Sequence, residues 1–211
     1  MIGLFLVKFN PFAGEKAKLL FHRILCKYTW SLMYIMRNVT KRIHNPGGED
    51  FSKPAVIISN HQSFLDILSI VMLHPKIILL TNDWVWNSPV FGFVVKMADY
   101  FPVSKGVESN IDGIRERVKN GYSVAVFPEG TRSYDGTLKR FHKGAFFLAE
   151  ELGIDILPVV LHGSGYTMSK GDFILKDGTI TIDILPRVKA EDNITYGEGY
   201  AEKAKKLSRQ F

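Results

Sequence analysis

The chain has 211 residues, 46% of them apolar and 12% aromatic, which is enough to bury the core of one domain and sets disorder aside. A lone cysteine, Cys26, excludes an internal disulfide, and no Cys/His set stands at metal-ligand spacing, so a reducing, cytoplasmic setting without a bound metal is expected. The net charge of +6 is unevenly placed: residues 1–43 carry eight Lys and Arg against Glu15 alone, and the rest of the chain sums to −1.

The N-terminal segment, residues 1–45, combines that charge with Phe5, Phe9, Phe12, Phe21, Tyr28, Trp30 and Tyr34. Cations mixed with large amphipathic rings suit an anionic lipid surface. Nucleic acid would attract the same charge, but no nucleic-acid motif accompanies it, so none is expected as a partner. The run from Leu19 to Met36 is interrupted by His22, Arg23 and Lys27, short of the ~18 unbroken apolar residues of a spanning helix. No small-residue cleavage site follows the first nine residues, as a secretory signal would require. The expectation is an amphipathic helical membrane-docking segment, peripheral or monotopic, at the cytoplasmic face of the cell membrane. The alternative is a helix that packs on the domain with its basic residues in water.

Residues 44–50, HNPGGED, read as a linker because Pro and paired Gly break what precedes them. The main domain, residues 46–211, then alternates. A short β-branched run spans 55–59, an apolar stretch at helical spacing spans 63–73, and 76–80 is strand-like. An amphipathic helix over 107–121 closes at Gly121, a buried strand follows at 122–127, a glycine-closed helix spans 141–153, and further strands span 155–163 and 179–185. Continuous apolar strands alternating with helices predict an α/β fold with a mainly parallel central sheet flanked by helices on both faces.

In such sheets, sites form beyond the carboxyl ends of the strands. Three strand ends carry polar clusters: Ser59, Asn60 and His61 after the first, PEGTRS (128–133) after another, and His162, Gly163 and Ser164 after a third. Ser63 can cap the following helix with Asp66 as the acidic member of a capping box, a purely structural reading in which His61 is an incidental neighbour. The functional reading has Asp66 reach back to one imidazole nitrogen of His61, fixing its tautomer and leaving the other nitrogen to take a proton from a substrate hydroxyl or amine. FPEGTRS (127–133) is the more specific signal. Arg132 offers a planar fork for phosphate or carboxylate, Gly130 lets the backbone approach a ligand, and Glu129 can bind a substrate hydroxyl or hold Arg132.

NHQSFLD (60–66) followed by FPEGTRS and by ILPVVLHG (156–163) resembles the HxxxxD glycerolipid acyltransferase family, whose best-known members are 1-acylglycerol-3-phosphate acyltransferases. The similarity covers roughly residues 50–190. It implies acyl transfer from acyl-CoA or acyl carrier protein to a lysophospholipid-like acceptor, with no cofactor beyond the donor. By motif position it implies His61 as general base, Asp66 as its orienting partner, and Glu129, Gly130, Thr131 and Arg132 as acceptor-binding residues, with Arg132 aimed at phosphate. Where the family usually has arginine in a block like PVDR, this chain has PVSK (102–105), which makes Lys105 the cation. Where many members carry lysine in AKKEL, this chain has TNDWVW (81–86), placing Asn82 and Asp83 there. The same chemistry on an acylated amino acid or another lyso-lipid is therefore an open alternative, as is a non-catalytic lipid-binding domain of a larger membrane protein. Trp84, Trp86, Phe91 and Phe93 read as an acyl groove, a bilayer contact or ordinary core.

Overall fold

The computed structural model describes residues 14–103, 106–133, 137–172, 174–190 and 200–211. In chain order these form α1 (Glu15–Ile35), β1 (Val39–His44), β2 (Val56–Ser59), α2 (Leu65–Val71), β3 (Ile77–Thr81), α3 (Asp83–Trp86), α4 (Phe91–Met97) and β4 (Phe101–Pro102). They continue with α5 (Ile111–Lys119), β5 (Ser123–Val126), α6 (Gly144–Leu152), β6 (Ile156–His162), α7 (Ser164–Thr167), β7 (Gly178–Ile184) and α8 (Tyr200–Leu207). The strands make one sheet in the order β1-β7-β6-β2-β5-β3-β4. Every pairing is parallel except β6 with β7, so the carboxyl ends of β6, β2, β5 and β3 share one edge.

The centre of the sheet is buried on both faces: every residue of β2 lies inside, as do Ser123, Val124 and Ala125 of β5 and all of β3 up to Leu80. This is the physical reason those segments read as unbroken β-branched runs. The expected cover on both faces does not extend to the β1–β7 end. In β7, Ile180, Ile182 and Ile184 point inward while Thr179, Thr181 and Asp183 face outward, and β1 buries only Val39. An antiparallel pair at the rim can leave one face in water.

Helix α5 ends at Asn120, with Gly121 beyond it at φ +86°, and α6 ends on Gly153 in the left-handed conformation, its N–H returning to Ala149 and Glu150. Helix α1 is fastened to the domain. Lys18 pairs with Asp99 at 2.6 Å and Arg117 with Glu15 at 2.8 Å, while buried His22 packs its ring against Tyr122 and Tyr100. Burial pushes the His22 imidazole down from 6.5 to about 4, so it is neutral in the fold at neutral pH.

Candidate active site

The chain leaves β2 at Ser59 and must turn before α2 begins. Asn60 anchors that turn to β6: its Nδ2 donates to the Leu161 carbonyl and its Oδ1 accepts from the Leu161 N–H, both at 2.8 Å. His61 therefore starts from a fixed point. Its Nδ1 lies 3.0 Å from Asp66 Oδ2, and its ring stacks on Phe127 with centroids 4.1 Å apart and planes 18° from parallel. A carboxylate can only accept, so Nδ1 carries the proton and Nε2 keeps its lone pair in the neutral ring.

Asp66 is fully buried, while the His61 side chain is 12% exposed. Oδ2 of Asp66 also accepts the backbone N–H groups of Gln62 at 2.6 Å and Ser63 at 2.7 Å. Three donors thus converge on one oxygen, and Oδ1 is buried without a partner. The capping reading and the orienting reading of Asp66 hold together, because one carboxylate in the first turn of α2 serves the backbone and the imidazole at once. Ser63 completes the turn, accepting from Leu65 N–H at 3.2 Å and donating its hydroxyl to the Met168 carbonyl at 2.6 Å.

β5 lies beside β2, with Val56 opposite Val124 and Ile58 opposite Val126, so FPEGTRS emerges next to His61. Phe127 O accepts from Gly130 N–H at 3.0 Å, closing a turn that needs Gly130 at φ +71°. Glu129 departs from expectation: it is buried and holds neither a solvent-facing position nor Arg132. One carboxylate oxygen accepts His61 N–H at 2.6 Å and the other accepts Lys139 N–H at 2.8 Å. It ties the two halves of the site together from beneath, and burial raises its carboxyl above the usual 4.5.

Ser133 N–H donates to the His61 carbonyl at 3.0 Å. The PEGTR turn and the histidine are thus bonded through Glu129 on one side and Ser133 on the other. Thr131 is exposed and Arg132 half-buried; among the described residues the Arg132 guanidinium makes no ion pair. Lys105 lies outside the described residues. Asn82, at the end of β3, donates its amide to the Gly130 carbonyl at 3.2 Å, so the position where relatives carry a lysine helps hold the turn.

Other side chains singled out in the sequence go elsewhere. His162 donates to Asp183 at 3.1 Å on the open face of β7, where His44 reaches the same carboxylate at 2.8 Å. Trp84, Phe91 and Phe93 are exposed, which excludes the ordinary-core reading for them, and Lys96 sits over the Trp86 ring. Sequence reasoning misses Phe127, Lys139 and Lys170. Phe127 is legible only as the first letter of the motif; the two lysines meet the turn from distant stretches that carry no local signature. The assembled geometry is an oriented base beside a hydroxyl-bearing, arginine-bearing turn, suited to removing a proton from an incoming nucleophile next to an anion.

Residues 34–162 match the family model described as Acyltransferase. The chain is 32% identical over 188 residues to the chloroplastic 1-acyl-sn-glycerol-3-phosphate acyltransferase LPAT1 of Arabidopsis thaliana, covering 85% of this chain and 51% of that one. It is 38% identical over 136 residues to the chloroplastic 1-acyl-sn-glycerol-3-phosphate acyltransferase BAT2 of Brassica napus, covering 62% and 40%. The chain spans about half the length of the curated relatives it matches. Among solved structures, the 1-acyl-sn-glycerophosphate acyltransferase PlsC from Thermotoga maritima has the same fold, with TM-score 0.75 at 21% identity over 99% of this chain and 86% of that one.

Proposed function

The chain belongs to the acyltransferase family, and from that premise we propose that it moves a fatty acyl group from a thioester donor, acyl-CoA or acyl carrier protein, to the free hydroxyl of 1-acylglycerol-3-phosphate, forming phosphatidic acid. The observation that carries this reading is the His61–Asp66 pair, 3.0 Å apart, bonded through the backbone to the PEGTR turn. Nε2 takes the acceptor's hydroxyl proton as that oxygen attacks the thioester carbonyl. The tetrahedral intermediate then collapses, the C–S bond breaks, and the imidazolium returns its proton to the thiolate. Asp66 stabilises the imidazolium between the two steps without itself being protonated. Arg132, with Lys105 beyond the described residues, meets the acceptor's phosphate. No cofactor is needed, since the donor thioester already stores the energy for the new ester.

The acceptor is a lipid, and α1 supplies a surface on which to meet it. Leu20, Ile24, Tyr28, Trp30, Tyr34 and Ile35 are exposed along one arc of α1, with Arg23 and Lys27 exposed among them. No described helix is long and apolar enough to cross a membrane. We place this arc on an anionic membrane surface, at its cytoplasmic face.

The test is to supply the purified chain with acyl-CoA and with acyl carrier protein thioesters, against lysophosphatidic acid, another lysophospholipid and an acylated amino acid. Transfer to lysophosphatidic acid in preference to the others is expected; no transfer to it from either donor overturns the reading. A phosphate-free acceptor is the second reading, favoured by the amide of Asn82 standing where a lysine is usual.

A further inference from the structure

The peptide unit joining Arg132 to Ser133 is held from two sides. Its N–H donates to the His61 carbonyl at 3.0 Å. Its C=O accepts two ammonium groups, Lys139 Nζ at 3.3 Å and Lys170 Nζ at 3.2 Å, and Lys170 Nζ also reaches the Thr131 hydroxyl at 3.3 Å. Because both lysines bond to one oxygen, their charges lie within about 6.5 Å of each other. They come from different parts of the chain, one ten residues after Glu129 and one from the connection between α7 and β7. Like charges brought this close repel, and a main-chain carbonyl is a weak return for holding them there. A doubly charged anion bound beside them reverses the sign of that repulsion, and each ammonium has three donors of which Arg132 O takes one.

We propose that Lys139 and Lys170 are specificity-determining residues that, with Arg132, receive the acceptor's phosphate on the outer side of the PEGTR turn. The assignment rests on the proposed acceptor class. It also gives a physical reason why this chain manages with Asn82 and Asp83 where relatives place a lysine: the cations reach the turn from the other side. Lys139 is positioned for this through its own backbone, whose N–H is held by the carboxylate that holds His61, so the base and the cation share one support.

The experiment separates charge from hydrogen bonding. Lys139→Gln and Lys170→Gln keep an N–H donor for the Arg132 carbonyl and lose the charge; Lys139→Arg and Lys170→Arg keep the charge. Binding of a soluble short-chain lysophosphatidic acid, and of the uncharged monoacylglycerol of equal chain length, is measured by calorimetry, with inorganic phosphate titrated by phosphorus NMR. The expected result is at least about ten-fold weaker lysophosphatidic acid binding in the double Gln variant, little change in the double Arg variant, and unchanged monoacylglycerol binding. Unaltered lysophosphatidic acid binding in the Gln variant overturns the assignment. So does an equal loss for both lipids, which would make the lysines props of the turn alone, and so does a wild type that binds neither phosphate nor lysophosphatidic acid. A wild type that binds lysophosphatidic acid through these lysines without acylating it upholds the assignment and removes the proposed function instead.

Discussion

Replacing Asp66 by Asn keeps the shape of the side chain and removes the charge that stabilises imidazolium in the proposed mechanism. The Asp66 oxygen lies 3.0 Å from His61 Nδ1, and the carboxylate is fully buried. Two unit charges at that distance attract by about 5.5 kcal/mol at an effective dielectric constant of about 20, and by about 1.4 kcal/mol in water. The burial of Asp66 puts the loss in the upper part of that interval, and each 1.4 kcal/mol is about ten-fold in rate, so turnover should fall by about 10²- to 10⁴-fold. The amide has a second fault. Its oxygen can accept from Gln62 and Ser63 only by turning its NH₂ into the place of Oδ1, which has no partner, and a buried donor left unpaired costs about 1–3 kcal/mol. The assay is release of free thiol from acyl-CoA at saturating lysophosphatidic acid, alongside thermal unfolding of the variant. A folded Asp66→Asn protein within three-fold of wild-type turnover refutes the assignment of Asp66.

Three further outcomes follow from the same structure. The His22 imidazole is held down to about 4 by burial; a base with a depressed folded-state value stabilises the fold above its unfolded value and loses that contribution as pH falls. Between pH 6.5 and 4, urea unfolding of wild type should lose about 3 kcal/mol more than that of His22→Asn, and equal slopes would contradict it. Glu129 has the opposite sign, since its carboxyl is raised by burial: the neutral form suits the fold, and its contribution declines as pH rises through the raised value. Glu129→Gln should remove that decline above pH 4.5 while lowering turnover about ten-fold or more, because one of its two N–H partners meets an amide NH₂; a variant with wild-type turnover would show that the Glu129 bridge does not place His61. Serine at Ile24, Tyr28 and Trp30 together should reduce co-sedimentation with anionic vesicles at least about ten-fold, and leave transfer to a soluble short-chain acceptor within about two-fold; unchanged vesicle binding would remove α1 as the docking surface.

What is legible in the sequence depends on how local the signal is. Strands β2, β5 and β6 are readable because burial on both faces selects uninterrupted Val, Ile and Leu, and Gly153 announces the end of α6 because only glycine adopts that backbone turn freely. β1 escapes such a reading, since VTKRIH is an edge strand with one buried residue and so has no apolar pattern. So does the antiparallel β6–β7 pairing, which is set by where the chain returns. At the site, His61 and Asp66 are five residues apart and meet through one helical turn, so their spacing carries the information. Glu129 shows the limit: its residue type suggests a partner for a substrate hydroxyl or for Arg132, whereas its two oxygens sit on the N–H groups of His61 and Lys139. Bonds to backbone leave no trace in side-chain identity, and the convergence of Lys139 and Lys170 on the Arg132 carbonyl is a long-range contact that no short motif encodes.

The proposed chemistry stands or falls on His61 removing the acceptor's proton. The direct test is to convert His61 to Ala and follow the acylated product by mass spectrometry, with the thioester donor and lysophosphatidic acid at saturation and lysophosphatidic acid binding measured in parallel. Product formation is expected to fall to the uncatalysed rate while acceptor binding stays within a few-fold of wild type. A folded His61→Ala protein that forms product at a rate near wild type would contradict the assignment.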